Sequence, residues 1–210
     1  EVLLRMLDHA GDRILPGVFI AAAERYGLMP TVDRYVIEQV FARMKQSARA
    51  DDVVSINISG TSLSDDDFSD FIQRQFAEHA LAPASVCFEI TETAAIGNMG
   101  RALRFISEVR NLGCSIALDD FGSGMSSFNY LKSFHLDYVK IDGSFVRDMM
   151  NNPLDCATAE AINKVAQVKG LKTVAEFVET AEALAKLKEM GVDYGQGYHL
   201  HAPEPWQQPG

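Results

Sequence analysis

Two adjacent carboxylates, Asp119 and Asp120, are the residues in this sequence whose type and spacing most clearly could do chemistry. They follow a short apolar run and precede a segment that contains two glycines, Phe121–Gly124. A segment of this composition is most often a simple turn. A metal-binding role gains weight because further glutamates open the chain or follow other apolar runs. They are Glu1, Glu89, Glu92, Glu176 and Glu179.

Carboxylates that share one site must share protons or bind cations, because like charges in a partly dry site repel one another by kilocalories. The set is all oxygen, and Asn57 adds a neutral carbonyl, so it suits Mg²⁺ or Mn²⁺ better than zinc. A carboxylate that bridges two such ions gives the arrangement used for phosphodiester hydrolysis. The residues therefore indicate metal-dependent phosphoryl chemistry.

Two further polar residues each have two interpretations. Lys140 lies among apolar residues, where it could orient an attacking water and neutralise charge on phosphorus, or simply extend from an edge strand to solvent. Gln196 lies between two glycines and could be either a turn amide or part of the site.

Short β-rich runs alternate with amphipathic helical patterns along the chain, which predicts parallel strands joined by helices. Three of the helical patterns are predicted to end at Gly113, Gly170 and Gly191. The predicted strands are Val53–Ile58, Val86–Ile90, Ser115–Leu118, Tyr138–Ile141, Thr173–Ala175 and, more weakly, Asp193–Tyr198.

The polar residues distinguish a barrel from an open, doubly wound sheet. A barrel carries functional groups at the carboxyl ends of many strands, whereas an open sheet gathers them at one switch point. We therefore predict an α/β fold, a modified TIM-type (β/α)8 barrel. The polar residues at or near the strand ends, each about one strand–helix unit from the next, are Asn57, Glu89, Asp119, Lys140, Glu176 and Gln196.

The number of strands falls short of a complete barrel. The segment Glu1–Met6 predicts a seventh strand, whereas a barrel of this type has eight. We therefore expect at least one N-terminal strand to precede Glu1 in a larger protein. Residues 1–210 are expected to form a single barrel domain.

Composition limits the classes of function. The chain has 210 residues and a formal net charge of −10, which argues against binding duplex nucleic acid through a basic face. The three cysteines are widely spaced and predict neither a disulfide scaffold nor a zinc finger. With neither a signal peptide nor a membrane-spanning apolar run in the sequence, we expect a cytoplasmic domain, although the full-length protein could be tethered to a membrane.

Seven short motifs together resemble the EAL-type cyclic di-GMP phosphodiesterases, from Glu1 to about Pro205. Each motif alone is weak, but seven in the right order are very specific. The motifs are EVLLR at Glu1–Arg5, NIS at Asn57–Ser59, EITE at Glu89–Glu92, DDFGSGMSS at Asp119–Ser127, KID at Lys140–Asp142, AEFVE at Ala175–Glu179 and QGY at Gln196–Tyr198.

The resemblance implies a modified TIM barrel that linearises cyclic di-GMP to pGpG with two Mg²⁺ or Mn²⁺ ions. It implies that Lys140 holds the nucleophilic water, with Glu176, Asp120 and Glu92 as further members of the catalytic set. The implied metal ligands are Glu1, Asn57, Glu89 and Asp119 for one ion, and Asp119 and Asp120 for the second, with Glu176 acting through water. The implied substrate contacts are Leu3, Arg5 (to a phosphate), Asp142, Glu179 and Gln196, which also supports the metal site.

The resemblance also implies regulation and partners. Glu92 would anchor a loop that couples a homodimer contact to metal binding, and sensory or GGDEF domains would lie upstream. The loop residues are Phe121, Gly122, Ser123, Gly124 and Ser126.

Four positions depart from the family pattern, and none removes a metal ligand or the lysine. Phe177 replaces a glycine and could reshape the position of Glu176 or merely pack against the barrel. The alternative function is a cyclic di-GMP receptor that binds without hydrolysis, but the complete set of motifs favours the enzyme. The other departures are Val2, Ser123 and Met125.

Overall fold

The computed structural model describes residues 1–46, 53–124 and 130–206. Its central feature is a parallel sheet of six strands that are neighbours in sequence order and curl into a half-barrel flanked by helices. This confirms the predicted α/β barrel class. The six strands are β3 (Val54–Ile58), β4 (Val86–Thr91), β5 (Ser115–Phe121), β6 (Tyr138–Ile141), β7 (Lys172–Ala175) and β8 (Tyr194–Gly195).

Helices connect the strands, as the alternating pattern predicts, except between β5 and β6, where the described residues form a short 3-10 turn at Tyr130–Lys132. The helix before β5 ends at Gly113 with φ +105°, and the helix before β7 ends at Gly170 with φ +76°, a left-handed conformation that glycine adopts without strain. None of the described helices has both the length and the apolar character needed to cross a membrane. The helices are α1 (Pro16–Arg25), α2 (Met29–Gln46), α3 (Phe68–His79), α4 (Glu92–Gly97), α5 (Met99–Leu112), α6 (Gly143–Arg147), α7 (Pro153–Lys169) and α8 (Ala181–Glu189).

The predicted strand at Glu1–Met6 is wrong. Only β1 (Met6–Leu7) is a strand there, and it pairs with β2 (Arg13–Ile14) in an antiparallel hairpin outside the main sheet. The segment before it lies beside β3 through a hydrogen bond from the Val2 N–H to the Ser55 carbonyl, 2.9 Å long. A strand needs a continuing ladder of such bonds, and one bond does not make a ladder.

The packing of the helix layer determines which strand residues face the interior of the half-barrel. Phe88 in β4 lies with its ring centroid 6.1 Å from that of Phe105 in α5, so its side chain points outwards to the helices. Successive side chains of a strand alternate between faces, so Glu89 points inwards. β4 is buried on both faces, as is usual for strands of a parallel sheet, and its inner face can therefore carry a buried polar group.

Candidate active site

Lys140 lies at the centre of a cluster of four carboxylates inside the half-barrel. Its side chain is 2% exposed, and its Nζ lies 2.7 Å from Glu89 Oε2, 2.9 Å from Glu176 Oε1 and 3.1 Å from Asp119 Oδ1. The fourth carboxylate, Glu1 Oε2, is 3.4 Å away. The structure thus brings together side chains from β4, β5, β6, the end of β7 and the N-terminal segment.

The charges in this cluster do not balance, because one ammonium faces four carboxylates. Burial raises the pKa of Glu176 to about 7 and raises the pKa of Glu89, in both cases against the opposing effect of the Lys140 charge. Burial by itself would lower the pKa of Lys140, but the surrounding carboxylates raise it above its usual value. The site therefore retains a charged lysine together with an excess of acidic groups.

Two amide side chains hold Glu1 in place. Asn57 Nδ2 donates to Glu1 Oε1 at 2.7 Å, and Gln196 Nε2 donates to Glu1 Oε2 at 2.6 Å. Burial acts to raise the pKa of Glu1, but the Lys140 charge and these two hydrogen bonds bring the pKa below its usual value. Glu1 is thus held as a carboxylate at the entrance to the cluster.

An irregularity in β5 places both aspartates in the site. Adjacent residues of a regular strand point to opposite faces. Here the pairing with β6 shifts between Leu118 and Phe121, and Asp120 has φ +53°. The carboxylate oxygens of Asp119, Asp120 and Glu176 consequently lie within 4.8 Å of one another.

The chemistry of this donor set fits a divalent metal ion. The available atoms are carboxylate oxygens with one amide carbonyl, which Mg²⁺ and Mn²⁺ prefer. Burial, followed by the charges of Asp119 and Asp142, raises the pKa of Asp120, so added positive charge would favour its ionised form. The cluster is therefore suited to holding cations.

Glu92 connects the segment after β5 to the first turn of α4. Its side chain is buried, and Oε2 accepts a hydrogen bond of 3.0 Å from the Gly122 N–H. Oε1 accepts a hydrogen bond from the hydroxyl of Tyr130, a residue that no sequence motif indicated. Ser123 Oγ donates to the Asp120 carbonyl at 2.8 Å. Glu92 thus bonds Gly122, near the start of the predicted loop, and Tyr130, which follows that loop in the chain.

The predicted loop lies partly within the described residues. Gly124 is described and exposed, whereas Ser126 and Met125 lie outside the described residues. Gly122 has φ +98°, and a Cβ there would lie 2.8 Å from Ile162 Cδ1, so the turn requires glycine.

Apart from Gln196, which bonds Glu1, the predicted substrate contacts lie around the cluster rather than within it. Leu3 and Arg5 are exposed and line, with Glu1, a cavity of about 600 Å³. Asp142 accepts a hydrogen bond of 2.7 Å from the Ser144 N–H and caps α6, and Glu179 is exposed beyond β7. These four residues remain candidates for contacting a substrate.

Phe177 is strained and packs tightly against a glycine. It has φ +51°, and its ring lies under the Arg147 guanidinium, 4.7 Å from the ring centroid. A Cβ built on Gly143 would lie only 2.0 Å from Phe177 Cδ2. Because Phe177 stands where the family has glycine, position 143 at the start of α6 must also be a glycine to leave room for its ring.

We predict that Gly143→Ala destabilises the protein by about 2 kcal/mol, because the new methyl must displace the Phe177 ring. In a Phe177→Ala background the same change should cost little, since the clash is gone. Urea unfolding of the four proteins of this double-mutant cycle measures the coupling. Gly100→Ala, in α5 with open space around it, is the control and should not destabilise. Equal costs in both backgrounds would contradict the prediction.

The sequence matches the EAL domain family over residues 1–203. It is 44% identical over 207 residues to the cyclic di-GMP phosphodiesterase PdeB of Shewanella oneidensis, covering 98% of this chain and 24% of that protein. It is 35% identical to the cyclic di-GMP phosphodiesterase PdeA of Borreliella burgdorferi, covering 98% of this chain and 31% of that protein. The chain thus spans about a quarter to a third of the length of these relatives.

Solved structures agree with the sequence comparison. The complex of the PaMucR phosphodiesterase with c-di-GMP has a TM-score of 0.92 at 29% identity, covering 97% of this chain and 84% of that chain. The FimX EAL domain of Pseudomonas aeruginosa bound to c-di-GMP has a TM-score of 0.90 at 29% identity, covering 96% of this chain and 82% of that chain. With the family match over nearly all of its length, this chain belongs to the EAL domain family.

Proposed function

We propose that this domain hydrolyses cyclic di-GMP to linear pGpG in a metal-dependent reaction. The observation that carries the proposal is the buried group of four carboxylates around Lys140, which one lysine cannot neutralise. The named activity of relatives that are up to 44% identical supports the same substrate. A bis-phosphate ring is acidic, so cations are needed to bring it to an acidic site.

Two Mg²⁺ or Mn²⁺ ions fit the arrangement of ligands. We assign Glu1, Asn57, Glu89 and Asp119 to one ion, and Asp119 with Asp120 to the second, with Glu176 acting through water. When bound, such ions activate water and stabilise the attacking and leaving oxygens of a phosphodiester. The short distances among Asp119, Asp120 and Glu176 support a shared site on this side of the cluster.

The protein's own side chains orient the reactants. Lys140, which remains charged, is assigned to hold the attacking water and to stabilise negative charge as it develops. Gln196 keeps Glu1 in place through its hydrogen bond. Arg5 is assigned to a substrate phosphate, and Leu3, Asp142 and Glu179 to the rest of the nucleotide.

We further propose that the domain acts as a homodimer within a longer protein. The loop held by Glu92 would link the dimer contact to the metal site, because Gly122 bonds Glu92 two residues after Asp120. Relatives several times longer than this chain support additional sensory or GGDEF domains, and one at 30% identity is named a bifunctional diguanylate cyclase and phosphodiesterase. Three free cysteines support a reducing, cytoplasmic location.

The test is turnover of cyclic di-GMP with and without divalent metal. We expect chromatography to show pGpG with Mg²⁺ or Mn²⁺, no product after exhaustive chelation, and recovery when metal is restored. Asp119→Ala should abolish turnover, whereas the control Asp65→Ala, which breaks an ion pair with Arg34 away from the cluster, should not.

Two outcomes would contradict the proposal. Full activity in excess chelator would exclude metal-dependent hydrolysis. Binding of cyclic di-GMP in Ca²⁺ without any turnover in Mg²⁺ or Mn²⁺ would identify a receptor instead of an enzyme.

A further inference from the structure

A buried carboxylate on α2 lies outside the cluster described above. Asp33 is 4% exposed and shares one face of the helix with Ile37, Val40 and Phe41, all of which are buried. An acidic residue on an apolar helix face is costly unless it is hydrogen-bonded. Its presence there calls for a specific set of partners.

The partners of Asp33 are at the end of β3. Its Oδ2 accepts hydrogen bonds from the Ser59 N–H at 2.9 Å, the Ser59 hydroxyl at 2.6 Å and the Ser62 hydroxyl at 2.7 Å. Ser62 is fully buried. One carboxylate oxygen therefore holds both the first residue after the strand and the turn that follows it.

The end of β3 needs these hydrogen bonds because β3 is at the edge of the described sheet. It pairs with β4 on one side, and on the other side the backbone hydrogen bond given by the described residues is the one from the Val2 N–H to the Ser55 carbonyl. The ladder with β4 ends at Ile58, so the Ser59 N–H needs another acceptor. Edge segments with few hydrogen bonds open locally at low cost.

The hydrogen bonds of Asp33 to Ser59 and Ser62 affect the active site through Asn57. This residue lies two positions before Ser59, and its Nδ2 donates to Glu1 Oε1 at 2.7 Å. Asn57 is the one proposed metal ligand on β3, whereas Glu89 and Asp119 are on strands that are paired on both sides. The position of Asn57 therefore depends on how the end of β3 is held, whereas the positions of Glu89 and Asp119 are supported by strands on both sides.

We propose that Asp33 is a positioning residue for the metal site, which fixes the end of β3 so that Asn57 stays beside Glu1. The inference rests on the proposed metal-dependent function. Asp33 itself touches neither the proposed ions nor the substrate. Within the described residues its hydrogen bonds go to Ser59 and Ser62, so its effect passes through the backbone of β3.

The test compares Asp33→Ala with the wild type by two measurements. In the metal-free protein, hydrogen exchange of residues 56–62 should become faster, because the Ser59 N–H loses its acceptor. Titration with Mn²⁺, followed by electron paramagnetic resonance, should show about tenfold weaker binding, a size typical for partners that orient metal ligands. At saturating Mn²⁺, kcat should stay within about twofold of wild type, because the ligands themselves are intact.

Two variants control for a general loss of packing. Asp33→Asn keeps an acceptor oxygen and should restore most of the Mn²⁺ affinity. Asp65→Ala removes the ion pair between Asp65 and Arg34 of α2, but the bond from the Ser59 N–H to Asp33 remains. Hydrogen exchange and Mn²⁺ affinity should therefore match the wild type. If Asp33→Ala does not fold, Ser59→Ala and Ser62→Ala remove the hydroxyl bonds singly and should shift both measurements in the same direction by less.

The outcomes separate this proposal from the proposed function. If the wild type and a folded Asp33→Ala variant bind Mn²⁺ equally well, the role of Asp33 is overturned and the proposed function is not. The role of Asp33 is also overturned if hydrogen exchange and Mn²⁺ affinity are unchanged in both Ser59→Ala and Ser62→Ala. Wild-type protein that binds no Mn²⁺ would overturn the metal-dependent function and the role of Asp33 in metal binding with it.

Discussion

Substitution of Lys140 by alanine is expected to lower kcat for cyclic di-GMP by about 10²- to 10³-fold while KM changes little. The ammonium lies within 3.1 Å of oxygens of Glu89, Asp119 and Glu176 and is held charged by them. A group in this position stabilises charge that develops in the transition state, so its loss appears in kcat. Steady-state kinetics at saturating Mg²⁺ is the measurement.

A second lysine provides a matched control. Lys172 pairs with Asp193, at a side-chain exposure of 59%, and begins β7 at the opposite end of the strand from the cluster. Lys172→Ala should leave kcat and KM near the wild-type values. A rise in KM with unchanged kcat for Lys140→Ala would make Lys140 a binding residue and contradict the assignment.

Gly197→Ala is expected to destabilise the protein by about 3 kcal/mol or more. A Cβ at this position would lie 2.3 Å from the Val178 nitrogen and 2.4 Å from the Val178 oxygen. Those backbone atoms cannot move aside cheaply, because the Val178 N–H donates to the Gln196 carbonyl and the Val178 carbonyl accepts from the His199 N–H. Denaturant unfolding measures the loss.

The control for this change is Gly170→Ala at the end of α7. Gly170 has φ +76° and open space around it, so alanine there meets only backbone strain of about 1 kcal/mol. Similar losses in the two variants would show that the contact with Val178 is not the cause. The Gly197 variant should also lose turnover, since Gln196, its neighbour, holds Glu1.

The sequence by itself determined the class of fold. It also named the acidic residues that meet at the cluster, together with Glu92 and Glu179, which lie outside it. Alternating β-rich runs and amphipathic helices predicted the strands, and Tyr138–Ile141 was located with its exact bounds as β6. Gly113 and Gly170 marked helix ends correctly. These features are local, because propensity, side-chain period and glycine conformation act over a few residues.

The sequence also contains a signal for a buried polar residue in helix α2. Asp33 lies on the same helix face as Ile37, Val40 and Phe41, and an acid within an apolar face is a reason to look for a buried partner. Its partners, Ser59 and Ser62, could not be named without the structure. Tyr130, which bonds Glu92, has no comparable signal in the sequence.

Only the tertiary structure decided how the acidic residues meet. Glu1 and Gln196 are hydrogen-bonded although 195 positions separate them, and Lys140 in β6 pairs with Glu89 in β4 and Asp119 in β5. The tertiary structure also decides the position of Asp120, whose carboxylate approaches that of Asp119 because the pairing of β5 with β6 shifts. The predicted strand at Glu1–Met6 failed for a related reason: a strand is defined by its neighbours, and this segment makes one sheet bond. Contacts of this kind depend on the register of whole elements, which local sequence patterns do not encode.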